Sequence, residues 1–159
     1  MARFEPELII TQPLLDRLTD GDLNTPADPP VTRAQSFRAF KAALRRDLEW
    51  LLNSRQTPAP APDQFRELSR SLYNYGLPDL MALSAQSARD RQFLQHSLQQ
   101  TVERYEPRLA NVRVIAEPLA AGGRMLRFRI EGLARIDPAP EQVTFDTVLE
   151  LTSGEYQVK

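Results

Sequence analysis

Pro107 is the residue that most narrows what this chain can become. It lies in Tyr105-Glu106-Pro107-Arg108-Leu109, directly ahead of Asn111-Val112-Arg113-Val114. A proline inside a helix removes a backbone hydrogen bond, and it pushes the residue before it towards extended backbone. Upstream, Leu94, Leu98, Val102 and Tyr105 recur at helical spacing, with Phe93 beside them. The helix must therefore stop at this point, and Val112 and Val114, alternating with Arg113, open a strand. An acid and a base, Glu106 and Arg108, are left flanking a rigid corner. Such a pair suits a docking point or a structural clamp.

The segments around the corner fall into helices first and strands afterwards. Thr32-Arg33-Ala34-Gln35 has the form of a capping box, and Phe37, Phe40, Leu44, Leu48, Leu51 and Leu52 follow as an apolar stripe. Arg38, Lys41, Arg45 and Arg46 occupy the rest of that helix as a solvated face, and Trp50 is expected in the core. Ser87-Ala88-Arg89-Asp90 resembles a second capping box, and Asp63 can cap a short helix carrying Phe65, Leu68 and Leu72. Gly76 suits a left-handed helix end, with Pro78 preventing resumption, while Tyr73 and Tyr75 are expected to pack. Downstream, Leu126, Phe128 and Ile130 alternate with Arg127, Arg129 and Glu131, as in a half-buried strand with a charged outer face. Gly122-Gly123 turns the chain before it. Val143, Phe145, Leu149 and Leu151 predict another strand, and Ser153-Gly154 a tight turn into Tyr156-Gln157-Val158. That last strand is short and terminal, so it is expected at an edge, where a strand from another protein can add.

The N-terminal stretch is different in kind. Leu14, Leu15 and Leu18 have helical spacing, but Pro13 interrupts the run and Asp20-Gly21-Asp22 ends it. It reads as an arm that packs on the body or docks on another subunit. Pro26, Pro29 and Pro30 form one proline group, and Thr57-Pro58-Ala59-Pro60-Ala61-Pro62 predicts an extended spacer.

Composition then removes several classes of function. A net charge of −1 gives no bulk field for nucleic acid or an anionic membrane. With no cysteine and one histidine, His96, there is no disulfide, no thiol chemistry and no multi-histidine metal site. No cofactor and no small-molecule substrate are expected. The N-terminus lacks the basic start and apolar core of a signal peptide, and no apolar run is long enough to span a bilayer, so a cytoplasmic location is expected.

Together these motifs resemble the TssE family, the wedge subunits of the type VI secretion baseplate. That family is similar to the "lysozyme-like" wedge proteins of contractile phage tails. The resemblance rests on Leu14-Leu15-Asp16-Arg17-Leu18-Thr19-Asp20, on Arg46 through Arg55, and on Ser71 through Asp79. It continues through Glu106-Pro107-Arg108-Leu109, Val143-Thr144-Phe145-Asp146-Thr147 and Ser153-Gly154-Glu155-Tyr156. It implies an α+β fold in one compact domain, with helices packed on a small, mostly antiparallel sheet. An extended arm (1–31) would precede a wedge domain (32–159). It also implies a structural, non-enzymatic role in a cytoplasmic baseplate with TssF, TssG and TssK, next to a sheath of TssB and TssC whose polymerisation it helps to start. On the resemblance, Glu106, Pro107 and Arg108 would hold the wedge together; the arm leucines Leu14, Leu15 and Leu18 and the final strand Tyr156-Gln157-Val158 are contacts expected from the residues themselves.

The resemblance also raises two alternatives. A muramidase needs two carboxylates about 5–5.5 Å or 6.5–9.5 Å apart, and Glu103 and Glu106 lie close enough in sequence to reach that spacing. A related fold also occurs in an anti-adaptor that blocks protein turnover, which would make the chain a regulatory binder.

Overall fold

The computed structural model describes residues 9–19, 31–59, 61–62, 64–79, 84, 87–117, 125–150 and 153–159, with the side chains of residues 69 and 70 left out. Asp20-Gly21-Asp22, the proline group at 26–30, Pro60, Asp63, Gly122-Gly123 and Leu151 lie outside the described residues.

Among the described residues the arm contains one short helix, α1 (Leu14–Leu18). It is followed by α2 (Arg33–Asn53). Thr32 starts α2 as the sequence predicts: its hydroxyl accepts from the Gln35 N–H, and the Gln35 side chain accepts from the Thr32 N–H. Phe40, Leu44, Leu48, Leu51 and Leu52 line the buried face, with Phe37 packed at its margin. The expectation of a core Trp50 is overturned, because 53% of its surface is exposed. Trp50 is two residues past Leu48, about 200° around the helix, so it must face away from the core. The Arg46 guanidinium lies 5.1 Å from the centre of its ring.

A short helix, α3 (Arg66–Arg70), and a 3₁₀ turn (Leu72–Asn74) precede the long helix α4 (Ala88–Tyr105). The Ser87 hydroxyl accepts from the Asp90 N–H, while the Asp90 carboxylate accepts from the Ser84 N–H instead of closing a reciprocal box. Leu94, Leu98 and Val102 are buried, as their spacing predicts.

After the corner the chain makes an antiparallel meander. Its strands are β1 (Leu109–Ala116), β2 (Met125–Ala134), β3 (Glu141–Glu150) and β4 (Glu155–Val158), in that spatial order. Burial alternates along β2, β3 and β4, and along β1 once past a bulge between Ala110 and Arg113. Val114, Phe128, Ile130, Phe145 and Tyr156 meet Leu48, Leu98 and Val102 in one core, so α2 and α4 cover a single face. Arg113, Arg127 and Arg129 stand on the opposite, exposed face, where Arg129 pairs with Asp146 and Glu117. Arg33 ties the start of α2 to the β2–β3 connection through the Asp137 carbonyl and Glu141. The fold is α+β, and β1 and β4 are its two edges.

Gly76 connects the helical half to this body. Its φ of 98° is in the left-handed region, so the turn expected there is present. The next residue, Leu77, is fully buried and exchanges backbone hydrogen bonds with Ser54 and Gln56 just past α2. A Cβ on Gly76 would stand 2.4 Å from the Ser54 carbonyl oxygen. Gly76→Ala is therefore expected to lower unfolding stability by about 2 kcal/mol or more, measured by urea denaturation. An unchanged midpoint would show that the turn relaxes freely.

Candidate functional site

The corner closes on itself. α4 ends at Tyr105, and Glu106 has an intermediate backbone with its N–H bonded to the Val102 carbonyl. Leu109 N–H then returns to the Glu106 carbonyl, and Arg135 N–H reaches the Arg108 carbonyl, which brings the chain into register with β2. Only 5% of Glu106 is exposed. Its Oε1 accepts from the Arg108 backbone N–H and from Arg108 Nε at 2.6 Å, and its Oε2 accepts from Arg108 Nη2. The acid and base flanking Pro107 are thus each other's partners within one chain.

The pair does not stand alone. Arg108 Nη2 also donates to Asp47 Oδ2 on α2 at 2.8 Å. Asp47 Oδ1 accepts from Arg46 Nη2 at 2.9 Å, and Arg46 in turn holds the Asp16 carboxylate on α1 through both of its terminal nitrogens. The result is a line of alternating charge: Glu106, Arg108, Asp47, Arg46, Asp16. It joins the α4–β1 corner, α2 and the arm. The hydrogen bond to Glu106, against the opposing effect of burial, holds the Arg108 guanidinium above its ordinary pKa, and Asp47 adds to it. Hydrogen bonds to Asp16 and then Asp47 do the same for Arg46. The described part of the arm has a second tether: Ile10 is buried, and its N–H donates to the Ser36 hydroxyl.

Two tyrosines flank the corner. Tyr75 and Tyr105 pack edge to face with centroids 5.2 Å apart, and the Tyr105 hydroxyl donates to the Ser71 carbonyl. Burial pushes the Tyr75 phenol up, and the negative charges of Asp47 and Glu106 push it further. Tyr75 packs as expected, while Tyr73 is 40% exposed.

The remaining sequence candidates divide by exposure. Leu14, Leu15 and Leu18 are 69%, 46% and 73% exposed, so α1 buries none of its leucines. On β4 the Tyr156 and Val158 side chains are buried in the core, and the Gln157 side chain faces out. Its backbone is largely engaged. Asp146 and Lys159 exchange both hydrogen bonds, so by the alternation of an antiparallel ladder Gln157 pairs inward with Val148. The Tyr156 backbone groups point away from β3, but the Asn53 amide at the end of α2 takes both: Asn53 Oδ1 accepts from the Tyr156 N–H at 2.8 Å and Nδ2 donates to its carbonyl at 2.9 Å. Arg55 takes the Gly154 carbonyl at 2.7 Å.

Glu103 and Glu106 do not form a glycosidase pair. Glu106 turns into the chain and binds Arg108 with both oxygens, whereas Glu103 lies on the exposed face of α4 and accepts from Gln99. Two hydrolytic carboxylates must face one bound sugar. Among the described residues no group of three His, Cys, Asp or Glu side chains is placed to hold a metal. No helix among them is long and apolar enough to cross a membrane.

Compared with known families, residues 38–139 match the family described as baseplate wedge protein gp25. The chain belongs to that family. None of the curated proteins matches it. The matched region of this gp25-family chain contains Arg46, Asp47, Glu106, Pro107 and Arg108, and so every member of the charge line except Asp16. Sequence alone singled out Glu106 and Arg108 but missed Asp47. The available signal was an acid bordering the apolar stripe between Leu44 and Leu48.

The arm contact has a pH signature. The hydrogen bond from Arg46 holds the Asp16 carboxyl below its ordinary value. The docked arm therefore binds fewer protons than the free arm. Docking is fully supported above the free-carboxylate pKa of about 3.9 and is lost as pH falls through the lower docked value. Trp50, the sole tryptophan, reports this through its Arg46 neighbour. Its emission is expected to change at acid pH in the wild type, before global unfolding, and not in Asp16→Asn. The same acid change in both would show that Asp16 does not pin the arm.

Proposed function

We propose that this gp25-family chain is the wedge subunit of a type VI secretion baseplate, joining the wedge to the contractile sheath and helping to start its polymerisation. The observation that carries this is the family match across the whole corner, from Arg46-Asp47 to Glu106-Pro107-Arg108. A baseplate is the structural core of a contractile tail, and membership of this family supports a structural role over a catalytic one. The partners on this reading are TssF, TssG and TssK in the wedge and TssB and TssC in the sheath, assembled in the cytoplasm.

Two surfaces would serve as assembly contacts. At the corner, a quarter of the Arg108 side chain stays exposed while its inner nitrogens are taken by Glu106 and Asp47, which leaves a fixed, oriented cation edge for a partner. On the arm, Leu14, Leu15 and Leu18 offer an apolar contact on a helix pinned by Asp16. The final strand, Tyr156-Gln157-Val158, is the third contact that the sequence suggests from its terminal position, and its availability depends on the Asn53 amide beside it.

Capture of purified TssF, TssG and TssK by the wild type, Arg108→Ala and Leu14→Asp/Leu18→Asp tests this. At least tenfold weaker capture is expected for both variants, with the helical circular-dichroism signal retained in the leucine variant. Wild-type capture by both folded variants would contradict the proposal. Unfolding of Arg108→Ala alone would confine Arg108 to a clamp within the chain and leave the arm leucines to decide.

A further inference from the structure

Both edges of the sheet are covered by side-chain amides, but unequally. On β4 the end of α2 supplies a reciprocal pair from Asn53 and a guanidinium bond from Arg55 to Gly154. The Asn53 and Arg55 side chains are exposed, but all three of these bonds are well made, at 2.7–2.9 Å. The segment that follows Asn53 exchanges backbone hydrogen bonds with the fully buried Leu77, so moving it would disrupt the core.

The β1 edge is held more loosely. Glu117 N–H bonds the Arg127 carbonyl, and the register places Ile115 opposite Arg129 and Arg113 opposite Glu131. By ladder alternation those residues face β2, while Val114 and Ala116 turn their backbone groups outward. The cover here comes from α4, where Gln95 and Gln99 stand one turn apart. Gln95 Nε2 donates to the Val114 carbonyl at 2.6 Å, and Gln99 Oε1 accepts from the Val114 N–H at a marginal 3.5 Å. Both glutamines are only half-buried, so they can swing into water without leaving a buried polar group unpaired. β1 spans 8 residues against 4 for β4, with a bulge between Ala110 and Arg113 that leaves Arg113–Ala116 as its regular edge.

We infer that β1, not β4, is the edge to which a partner strand adds, with Gln95 and Gln99 as the cover that the strand displaces. The occupant is an extended polypeptide segment of the partner. Only a backbone offers donors and acceptors at the strand repeat, and the two glutamine amides already imitate one such residue. This inference rests on the proposed attachment to a sheath, and it moves the strand-accepting edge from the final strand, where the sequence placed it, to β1.

Proline substitutions at outward-facing positions separate the edges without removing a ladder bond. Ala116→Pro blocks β1, and Val158→Pro blocks β4. The experiment measures binding of the purified sheath pair to each full-length variant, with folding monitored by circular dichroism. Ala116→Pro is expected to weaken binding at least tenfold while Val158→Pro stays within twofold of wild type. Gln95→Ala/Gln99→Ala, which leaves the sheet backbone intact, is expected to bind at least threefold tighter because no amide needs displacing. Loss of binding in Val158→Pro alone, or no gain in the glutamine variant, would overturn the choice of β1. If neither proline changes binding while the wild type binds, strand addition itself is wrong. If the wild type does not bind the sheath pair, the proposed function fails first.

Discussion

Glu106 is a carboxylate with 5% of its surface exposed, at the point where the chain turns from α4 into its sheet. A buried carboxylate left alone would cost several kcal/mol. It is tolerable here only because Arg108 is delivered to it in a fixed geometry, and Pro107 between them limits the ways in which the corner can bend. Arg108 then carries the constraint outward to Asp47, and Asp47 to Arg46. One line of ion pairs thus sets the placement of α4 against α2, and the sheet follows, because β1 begins at the next residue.

The same line explains why an assembly protein would keep charges at such a place. A hydrophobic clamp of similar volume is often as stable as a buried ion pair or more so. A charged clamp has a further property: its outer members stay partly exposed and oriented. Arg108 and Asp47 each keep about a quarter of their side-chain surface accessible, at 25% and 24%. On the proposed function they are positioned for a partner before it arrives, which lowers the ordering cost of docking. The arm is pinned to the outer end of the line by Asp16, so its exposed leucines would be presented next to the same surface.

Much of this was legible in the sequence because it is local. The capping box at Thr32, the apolar stripe of α4, the break at Pro107 and the alternation of β2 each depend on residues within a few positions of one another. What escaped is long-range. Arg108 and Asp47 are 61 residues apart in the chain, and Asn53 and Tyr156 are 103 apart. No spacing rule links such residues. Trp50 was misplaced because residue type was weighed above its angle on the helix. The engagement of β4 by Asn53 and of β1 by the α4 glutamines was invisible for the same reason: edge position follows from strand order, and edge cover from which helix end lies beside it.

The central claim is that Asp47 and Arg108 act as one unit, so that the corner and α2 are held together electrostatically. A double-mutant cycle on Asp47→Ala and Arg108→Ala, measured by urea unfolding of the full chain, tests it most directly. The account predicts a coupling of about 1 kcal/mol or more, with the double variant less destabilised than the sum of the singles. Additive losses, agreeing within about 0.3 kcal/mol, would mean that the two residues stabilise the fold independently and that the charge line is not a single device.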